Sequence, residues 1–397
     1  MERIVQKYGG SSVSTTEKIE AIAENIIATK GENTQMLVVV SAMGDTTDDY
    51  IGLAKKLSDD PDKRELDVLM STGEMISASL LAISLNEQGQ KAVSYNAYQL
   101  DIRTNGIHGK SQIKDIDVSK IEKKLEDGSI VIVTGFQGID EIGDITTLGR
   151  GGSDTSAVAL AVKLDARCEI YTDVDGIYSV DPRKYSDAHK LDEIEYEEML
   201  ELASSGAQVM HSRSIELAQK YGIELYVGRT LGKEKGTYIR GNSKMNIEGK
   251  VITGIATSDE DSAITLKEFK AENISGLFED ISVKGINVDM ISQTAPIDGV
   301  VNVSFTIPKD EVRLIKGIID KYIEAKNVVV DDEITKFSLV GLGMRDTYGV
   351  ASKVFKIFNE NDIALKMITT SEIRITCAIN SKDKMTAIQK VAKEFDL

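Results

Sequence analysis

Short apolar segments alternate with amphipathic helical patterns through the first 230 or so residues, and this alternation limits the fold more than any other feature. The segments are rich in Val and Ile, and glycines follow several of them. Parallel strands buried on both faces have this composition, so the pattern predicts an α/β fold with a mainly parallel sheet covered by helices. The predicted strands are Ile4–Lys7, Met36–Ser41, Ala92–Tyr95, Ile130–Thr134, Cys168–Thr172 and Glu224–Val227.

A weak internal repeat marks the C-terminal part of the chain. GINVDMIS (285–292) aligns with DIALKMIT (362–369) at an offset of 77 residues, because Met290 meets Met367 and 367 − 290 = 77. Each copy has the pattern strand, helix, strand, strand, helix, which predicts two βαββαβ modules. Chance matching of apolar residues is the alternative, but one register is kept through helix and strand.

A polar, Gly- and Lys-rich segment, 231–250, separates the repeat from the first part. The length of 397 residues agrees with two or three domains of about 150 residues. The predicted parts are a first domain (1–240), a connector with a first strand (241–262), and the two modules (263–335 and 336–397).

The charge balance and the cysteine count exclude several classes of protein. The chain has 64 acidic and 47 basic residues, a net charge of −17, which disfavours general binding to nucleic acid or to anionic membranes. Two cysteines and three histidines rule out a disulfide framework and a Cys/His zinc cluster. The opening MERIVQKYGG lacks an apolar signal region, and no run approaches ~18 uninterrupted apolar residues. We therefore expect a cytoplasmic protein.

Two loops at predicted strand ends could hold a ligand, since ligands of open α/β sheets bind at the carboxyl ends of strands. KYGGSSV (7–13) combines a lysine with two glycines before a helix, a pattern that suits phosphate oxygens. It does not match the nucleotide-binding P-loop, and a plain tight turn is the alternative. SAMGDTTD (41–48) offers hydroxyls that could equally be an ordinary helix cap.

Two further segments carry polar groups suited to a charged substrate. TLGRGGSDTSAVALA (147–161) has an arginine, two glycines and an aspartate within five residues (150–154), just before an Ala-rich helix, and arginine is suited to bidentate carboxylate binding. YTDVDGIYSVDPRKY (171–185) mixes hydroxyls, an aromatic ring and an arginine that could hold a nucleotide. MSTGEMIS (70–77) places Glu74 on a helix, where an exposed, unremarkable glutamate is the usual case.

Together these motifs resemble the aspartokinases of the amino-acid kinase superfamily. KYGGSSV, VVVSAMGDTTD, TGEMIS, GFQGI, TTLGRGGSDTSAVALA, YTDVDGIYSVDPR and TSEIRI occur in the order and spacing of that family, from Arg3 to the C-terminus. The resemblance implies a three-layer α/β/α kinase domain followed by two ACT modules. It also implies ATP-dependent phosphorylation of L-aspartate, and the monofunctional class without a dehydrogenase extension.

The resemblance assigns roles to individual residues. Lys7, Asp154 and Arg150 belong to the catalytic centre, where Lys7 contacts the transferring phosphate. Aspartate is held by Thr47, Glu74, Arg150, Gly151, Gly152 and Ser153, with Glu74 at the amino group and Arg150 at a carboxylate. ATP is bound by Lys7, Gly9, Gly10, Ser11, Ser41, Thr172, Asp173, Tyr178, Asp181 and Arg183, and Mg²⁺ is carried by ATP.

The resemblance also implies feedback control by lysine, threonine or both at the ACT modules. The residues expected to face an effector are Asn287, Val288, Asp289 and Gln293. Strand alternation would point Asn287 and Asp289 to one side, where Asp289 could accept an effector's ammonium group. ACT pairing implies a homo-oligomer, and Met245 is a candidate internal start for a separately made regulatory subunit.

The sequence departs from the family pattern in three places. Gln208, in GAQVMH, replaces a lysine that contacts the nucleotide in many relatives. The modules read FKAENISG and RDTYGV where relatives often have a Pro-Gly turn, and GRT (228–230) replaces a serine pair. Two other functions stay open: a kinase for another amino acid such as glutamate, and a non-catalytic amino-acid sensor. The presence of Lys7 and Arg150 argues against the sensor.

Overall fold

A computed structural model describes residues 2–207, 209–241 and 250–397. The chain forms two compact units. Within the described residues, the first unit comprises 2–177, 190–203 and 209–241, and the second comprises 178–189, 204–207 and 250–397. A stretch of the predicted first domain, 178–189, is therefore part of the second unit.

The first unit is built on a central sheet whose strands alternate with helices. Its strands are β1 (Glu2–Tyr8), β2 (Thr34–Val40), β3 (Ala92–Tyr95), β4 (Arg103–Thr104), β5 (Ile113–Asp115), β6 (Ile130–Thr134), β7 (Gln137–Ile139), β8 (Ile145–Thr147), β9 (Arg167–Thr172), β10 (Glu193–Ile194), β11 (Leu225–Arg229) and β12 (Thr237–Ile239). Its helices are α1 (Thr16–Thr29), α2 (Thr46–Lys55), α3 (Lys63–Glu87), α4 (Ser119–Glu126), α5 (Gly152–Leu164), α6 (Tyr196–Ser204) and α7 (Ser212–Tyr221).

The central sheet has eight strands in the order β10-β12-β11-β9-β1-β2-β6-β3. Its pairs are parallel except β11 with β12. Tyr8 is level with Tyr171 and Val40, and Val40 is level with Thr134. The carboxyl ends of four neighbouring strands therefore meet at one edge. The predicted fold class is confirmed.

All six predicted strands are present, with ends shifted by at most two residues. The sequence missed several strands of two or three residues, including β4, β5, β7 and β8, which form a separate four-stranded sheet. Strands this short contain too few residues to show a period of two.

Helices cover both faces of the central sheet. Tyr8, Val38 and Val40 pack against α1 and α3 in one buried cluster. Lys7 points to the opposite face because side chains alternate along a strand, and there it meets α5. Helix α3 is long and apolar enough to cross a membrane by length and composition, but half of that stretch is buried, as in a core helix.

The second unit contains two small βαββαβ-like modules. Its elements are β13 (Gly254–Ser258), β14 (Asp261–Lys270), α8 (Ile274–Val283), β15 (Ile291–Gln293), β16 (Val300–Pro308), α9 (Val312–Ile319), β17 (Val328–Asp331), β18 (Ile334–Val340), α10 (Val350–Glu360), β19 (Leu365–Thr370), β20 (Arg374–Asn380) and α11 (Lys384–Phe395). Two antiparallel sheets result, with the orders β15-β16-β14-β17 and β13-β18-β20-β19.

Strand β13 precedes the first module in the chain, yet it pairs with β18 of the second module. The first module is thus inserted within the second. The 178–189 segment packs against this second module: Val180 lies in a buried cluster with Phe337 and Val354, and Ser179 O accepts from Ile255 N at 2.7 Å.

Candidate active site

Lys7 and Asp154 form an ion pair at the carboxyl edge of the central sheet. Lys7 Nζ lies 2.7 Å from Asp154 Oδ1, and both side chains are only about a tenth exposed. Among the described residues, Asp154 Oδ1 has no hydrogen-bond partner, so this ion pair is its polar contact. Asp154 lies in the first turn of α5, where the helix dipole favours a negative charge. A buried ammonium with one counter-charge can neutralise a second anion.

The glycine loops after β1 and β2 are locked together. Gly9 N donates to Tyr171 O at 3.2 Å, and Gly44 N donates to Gly10 O at 3.0 Å. A Cβ on Gly10 would lie 2.9 Å from Gly44 O, closer than side chains tolerate. Ser11 follows on the exposed side of the turn, where Lys18 Nζ donates to its carbonyl at 2.8 Å. The loops after β1 and β2 therefore lie side by side at the carboxyl edge of the sheet.

Glu74 is buried, contrary to the usual behaviour of a helical glutamate. Its side chain comes from α3, the residue is 2% exposed, and Oε1 accepts from Ala42 N at 3.1 Å. Among the described residues Oε2 has no hydrogen-bond partner. Burial raises the pKa of Glu74 to about 7, although the N–H of Ala42 opposes the shift. Such a carboxylate is poised to accept a cationic group.

Two more predicted residues lie on segments that contact α3, the helix that carries Glu74. Ser41 follows β2, its N–H donates to Tyr8 O at 3.1 Å, and its carbonyl accepts from Ser77 Oγ on α3 at 2.7 Å. Thr47 is half-buried in the first turn of α2. The end of β2, α2 and α3 thus surround the same edge of the sheet.

Close packing explains why the loop after β8 is rich in glycine. Gly151 has φ +66 and no room for a side chain beside His211, and a Cβ on Gly152 would lie 2.8 Å from the Phe136 ring. Ser153 is buried against Gly135, where a Cβ would lie 2.8 Å from the Ser153 side chain. Arg150 is exposed, and within the described ranges it has no ion-pair partner. The loop presents a free guanidinium on a tightly packed backbone.

The predicted nucleotide residues are divided between the two units. Thr172 and Asp173 belong to the first unit, where Thr172 Oγ1 donates to Asp173 Oδ1 at 3.0 Å. Tyr178, Asp181 and Arg183 belong to the second unit. Partial burial favours the neutral form of Asp181, but its hydrogen bonds from Arg183 prevail and lower its pKa.

The predicted effector residues lie in different surroundings. Asn287 and Val288 line a cleft of about 380 Å³ with Phe278 and Ile286. Asp289 Oδ2 is bound at 2.6 Å by Lys336 Nζ. The expected strand alternation over 287–289 is wrong, because β15 begins only at Ile291. Gln293 is exposed at the end of this edge strand.

Sequence reasoning missed three charged residues in buried or half-buried positions. Asp67 accepts a hydrogen bond from Thr147, Arg213 donates to the carbonyl of Leu148, and Lys336 forms an ion pair with Asp261. The available signal for Asp67 was its spacing of seven residues from Glu74, which places both on one side of a helix. Gln208 and Met245 lie outside the described residues.

Comparisons with known proteins agree with this architecture. Residues 2–229 match the amino acid kinase family, and residues 337–395 match an ACT domain. Aspartokinase 2 of Bacillus subtilis is 42% identical, with 100% of this chain and 98% of the relative covered. The aspartokinase of Corynebacterium glutamicum is 39% identical, with 100% and 97% covered.

Solved structures give the same result. The aspartate kinase from Synechocystis is 36% identical with a TM-score of 0.57, and the match covers 100% of this chain and 69% of that one. Aspartokinase III of E. coli, in complex with aspartate and ADP, shares the fold with a TM-score of 0.85 at 23% identity, and both chains are fully covered. On the basis of full-length similarity and the amino acid kinase match, this chain belongs to the aspartokinase family.

Proposed function

We propose that this chain transfers the γ-phosphoryl group of ATP to the β-carboxylate of L-aspartate, giving 4-phospho-L-aspartate. The observation that carries the proposal is the meeting of an ammonium–carboxylate pair, two locked glycine loops and the buried Glu74 at one sheet edge. The reaction is the first step toward lysine, threonine and methionine.

The chemistry needs no general base. The side-chain carboxylate of aspartate has a reference pKa of about 3.9, so it is already ionised at pH 7. Two anions must then approach each other in a protein of net charge −17. Lys7 neutralises the transferring phosphoryl group, and Asp154 orients Lys7 through their 2.7 Å contact. Gly9, Gly10 and Ser11 cradle the phosphate oxygens, and the N–H groups of Gly10 and Ser11 donate to them, because the N–H of Gly9 already donates to Tyr171 O.

The amino-acid substrate is held by its charged groups. Glu74 accepts the substrate's ammonium group, which explains why a carboxylate oxygen without a partner is kept in the interior. Arg150 binds a carboxylate, and the hydroxyl of Thr47 assists. The packed backbone from Gly151 to Ser153 closes the centre.

The remaining ligands follow the same reasoning. Mg²⁺ carried by ATP would add positive charge at the phosphates. Asp154, whose Oδ1 pairs with Lys7 at 2.7 Å, would be the carboxylate available to the water molecules around the ion. Thr172 and Asp173 contact the nucleotide, and Ser41 lies on the nucleotide side. A nucleotide-binding role of Tyr178, Asp181 and Arg183 stays a proposal.

The two modules would control the activity by binding lysine, threonine or both. The cleft beside Asn287 and Val288 supports this proposal, as does the solved structure of E. coli aspartokinase III in complex with lysine and aspartate. We further propose a cytoplasmic homo-oligomer paired through the ACT modules. The domain limits 1–240, 241–262, 263–335 and 336–397, and a regulatory subunit started at Met245, stay proposals.

Trapping of the acyl phosphate tests the function. Purified protein is incubated with ATP, Mg²⁺ and hydroxylamine, and the hydroxamate formed from aspartate is compared with that from glutamate. Lysine and threonine are added singly and together. Formation of aspartyl hydroxamate supports the proposal. Hydroxamate from glutamate alone would assign another amino-acid kinase, and binding of lysine or threonine without any hydroxamate would assign a sensor.

A further inference from the structure

We infer that Asp67 is a positioning residue that, through Thr147, fixes the Arg150 loop relative to Glu74 and thereby the position of the substrate's Cα, and so favours aspartate over glutamate. The inference rests on the proposed function and concerns the specificity of that same site. It begins from a buried carboxylate that has no part in phosphoryl transfer.

Asp67 is fixed by a dense set of contacts. It lies in the second turn of α3 and is fully buried, at 0% exposure. Thr147 Oγ1 donates to its Oδ1 at 2.6 Å, and Gly109 N lies 3.1 Å from both carboxylate oxygens. His108 Nδ1 is 2.7 Å from Oδ2. A buried carboxylate with this many partners has one position, so Thr147 is tied to α3.

The chain beyond Thr147 is held as well. Thr147 is the last residue of β8, and its carbonyl accepts from Ser111 N at 2.9 Å. Arg213 Nη1 donates to Leu148 O at 3.0 Å, and its Nη2 donates to Ser111 O at 2.8 Å. Arg150 follows three residues after Thr147, so its loop starts from a fixed point.

Helix α3 carries both ends of this arrangement. Asp67 and Glu74 are seven residues apart, which is about two turns and roughly 10 Å along the same side of the helix. Glu74 receives the ammonium end of the substrate directly. Asp67 fixes the loop whose Arg150 receives the carboxylate on Cα, because the side-chain carboxylate must face the phosphoryl group at Lys7. One rigid helix thus fixes the position of the substrate's Cα, and one more methylene group in the side chain carries the reacting carboxylate away from its position beside Lys7.

The test replaces the loop's hydroxyl without altering the buried carboxylate. Thr147→Val removes the donor to Asp67, and Thr146→Val is the matched control. Thr146 is the preceding residue of β8, is equally buried, and shares a 2.8 Å hydrogen bond with Thr104 instead. For each variant we would measure thermal unfolding, kcat, the KM values for aspartate and ATP, and the inhibition constant of glutamate as a competitor.

Thr147→Val should raise the KM for aspartate about tenfold and that for ATP less than twofold, because only the amino-acid end loses its alignment. The preference for aspartate over glutamate should fall about tenfold, within the range that one methylene group is worth in known pockets. Asp67→Asn should shift the same preference, and the double variant should do little more than either single variant.

The inference is wrong if Thr147→Val keeps the wild-type preference, or if Thr146→Val lowers it equally. If Asp67→Asn does not fold, Thr147→Val still decides, since it retains the carboxylate and its contacts with His108 and Gly109. A wild-type protein that makes no aspartyl hydroxamate would instead refute the proposed function before any variant is made.

Discussion

Two buried lysines show how the two units of this molecule use charge differently. Among the described residues, Lys7 in the first unit has one carboxylate neighbour, Asp154, at 2.7 Å. Lys336 in the second unit has two, Asp261 at 2.8 Å and Asp289 at 2.6 Å. Burial works against the charge of Lys336, but hydrogen bonds and charges of both aspartates outweigh it and raise its pKa. The two aspartates therefore compensate the charge of Lys336, whereas Lys7 can still bind a phosphate group.

The location of each lysine agrees with this difference. Lys7 lies beside glycine loops at the carboxyl edge of a parallel sheet, where ligands bind. Lys336 lies within β18 and joins this strand to β14 and to the segment before β15. We infer that Lys7 serves the reaction and that Lys336 holds the two ACT modules together.

The largest expected effect is that of Lys7→Met on turnover. Loss of a charge contact to the transition state should lower kcat at least ~100-fold, equivalent to about 3 kcal/mol. The unfolding temperature should hardly change. Steady-state kinetics and a thermal melt test this, and a near-normal kcat would remove Lys7 from phosphoryl transfer.

Lys336→Met should show the opposite behaviour. Two aspartates would lose their partner, and the free energy of unfolding should fall by about 2 kcal/mol, less than for a fully buried pair because Asp289 is partly exposed. Below the melting temperature kcat without effector should stay within about twofold. Urea unfolding and kinetics provide the measurements. A large loss of kcat with unchanged stability would contradict the structural role of Lys336.

The raised pKa of the buried Glu74 makes the binding of aspartate depend on pH. Its folded pKa of about 7 lies above the ordinary value, so the free site carries a proton below pH 7 and ionises above it. Only the ionised form binds an ammonium group, so the KM for aspartate should rise as pH falls, by up to about tenfold per pH unit below 7.

The measurement is the KM for aspartate between pH 6 and 8.5 at saturating ATP and Mg²⁺, with the KM for ATP followed in parallel. Glu74→Gln should have a high KM for aspartate that does not change with pH in this range. A wild-type KM that stays flat across the range would exclude Glu74 as the ligand of the amino group.

The smallest effect concerns the effector. Gln293→Ala and Asp289→Ala should weaken inhibition by lysine or threonine several-fold, about 1 kcal/mol of coupling, while uninhibited kcat stays within about twofold. Ser292→Ala, on the same exposed strand, is the matched control. If both variants keep the wild-type inhibition curve, neither residue belongs to the effector site. Lys336 already occupies Asp289, so Gln293→Ala should have the cleaner effect.

Local patterns were sufficient for much of this molecule. Val- and Ile-rich segments predicted the main strands, and the 77-residue offset predicted two similar modules. Both signals are repeated over many residues, so errors at single positions do not matter. The irregular backbone at 287–289 was missed because Val288 and Met290 alternate with polar residues, as in a strand, although β15 begins only at Ile291.

By itself, the sequence determined the α/β class, the order of the elements and the family, because those depend on periodicity and on motifs that are contiguous in the chain. Only the tertiary structure decided which side chains share a buried space. The burial of Glu74, the charge compensation of Lys336, the pairing of β13 with β18 and the bond from Thr147 to Asp67 each join residues between 32 and 86 positions apart. Packing creates such contacts, and burial is what gives a common residue type an uncommon charge state.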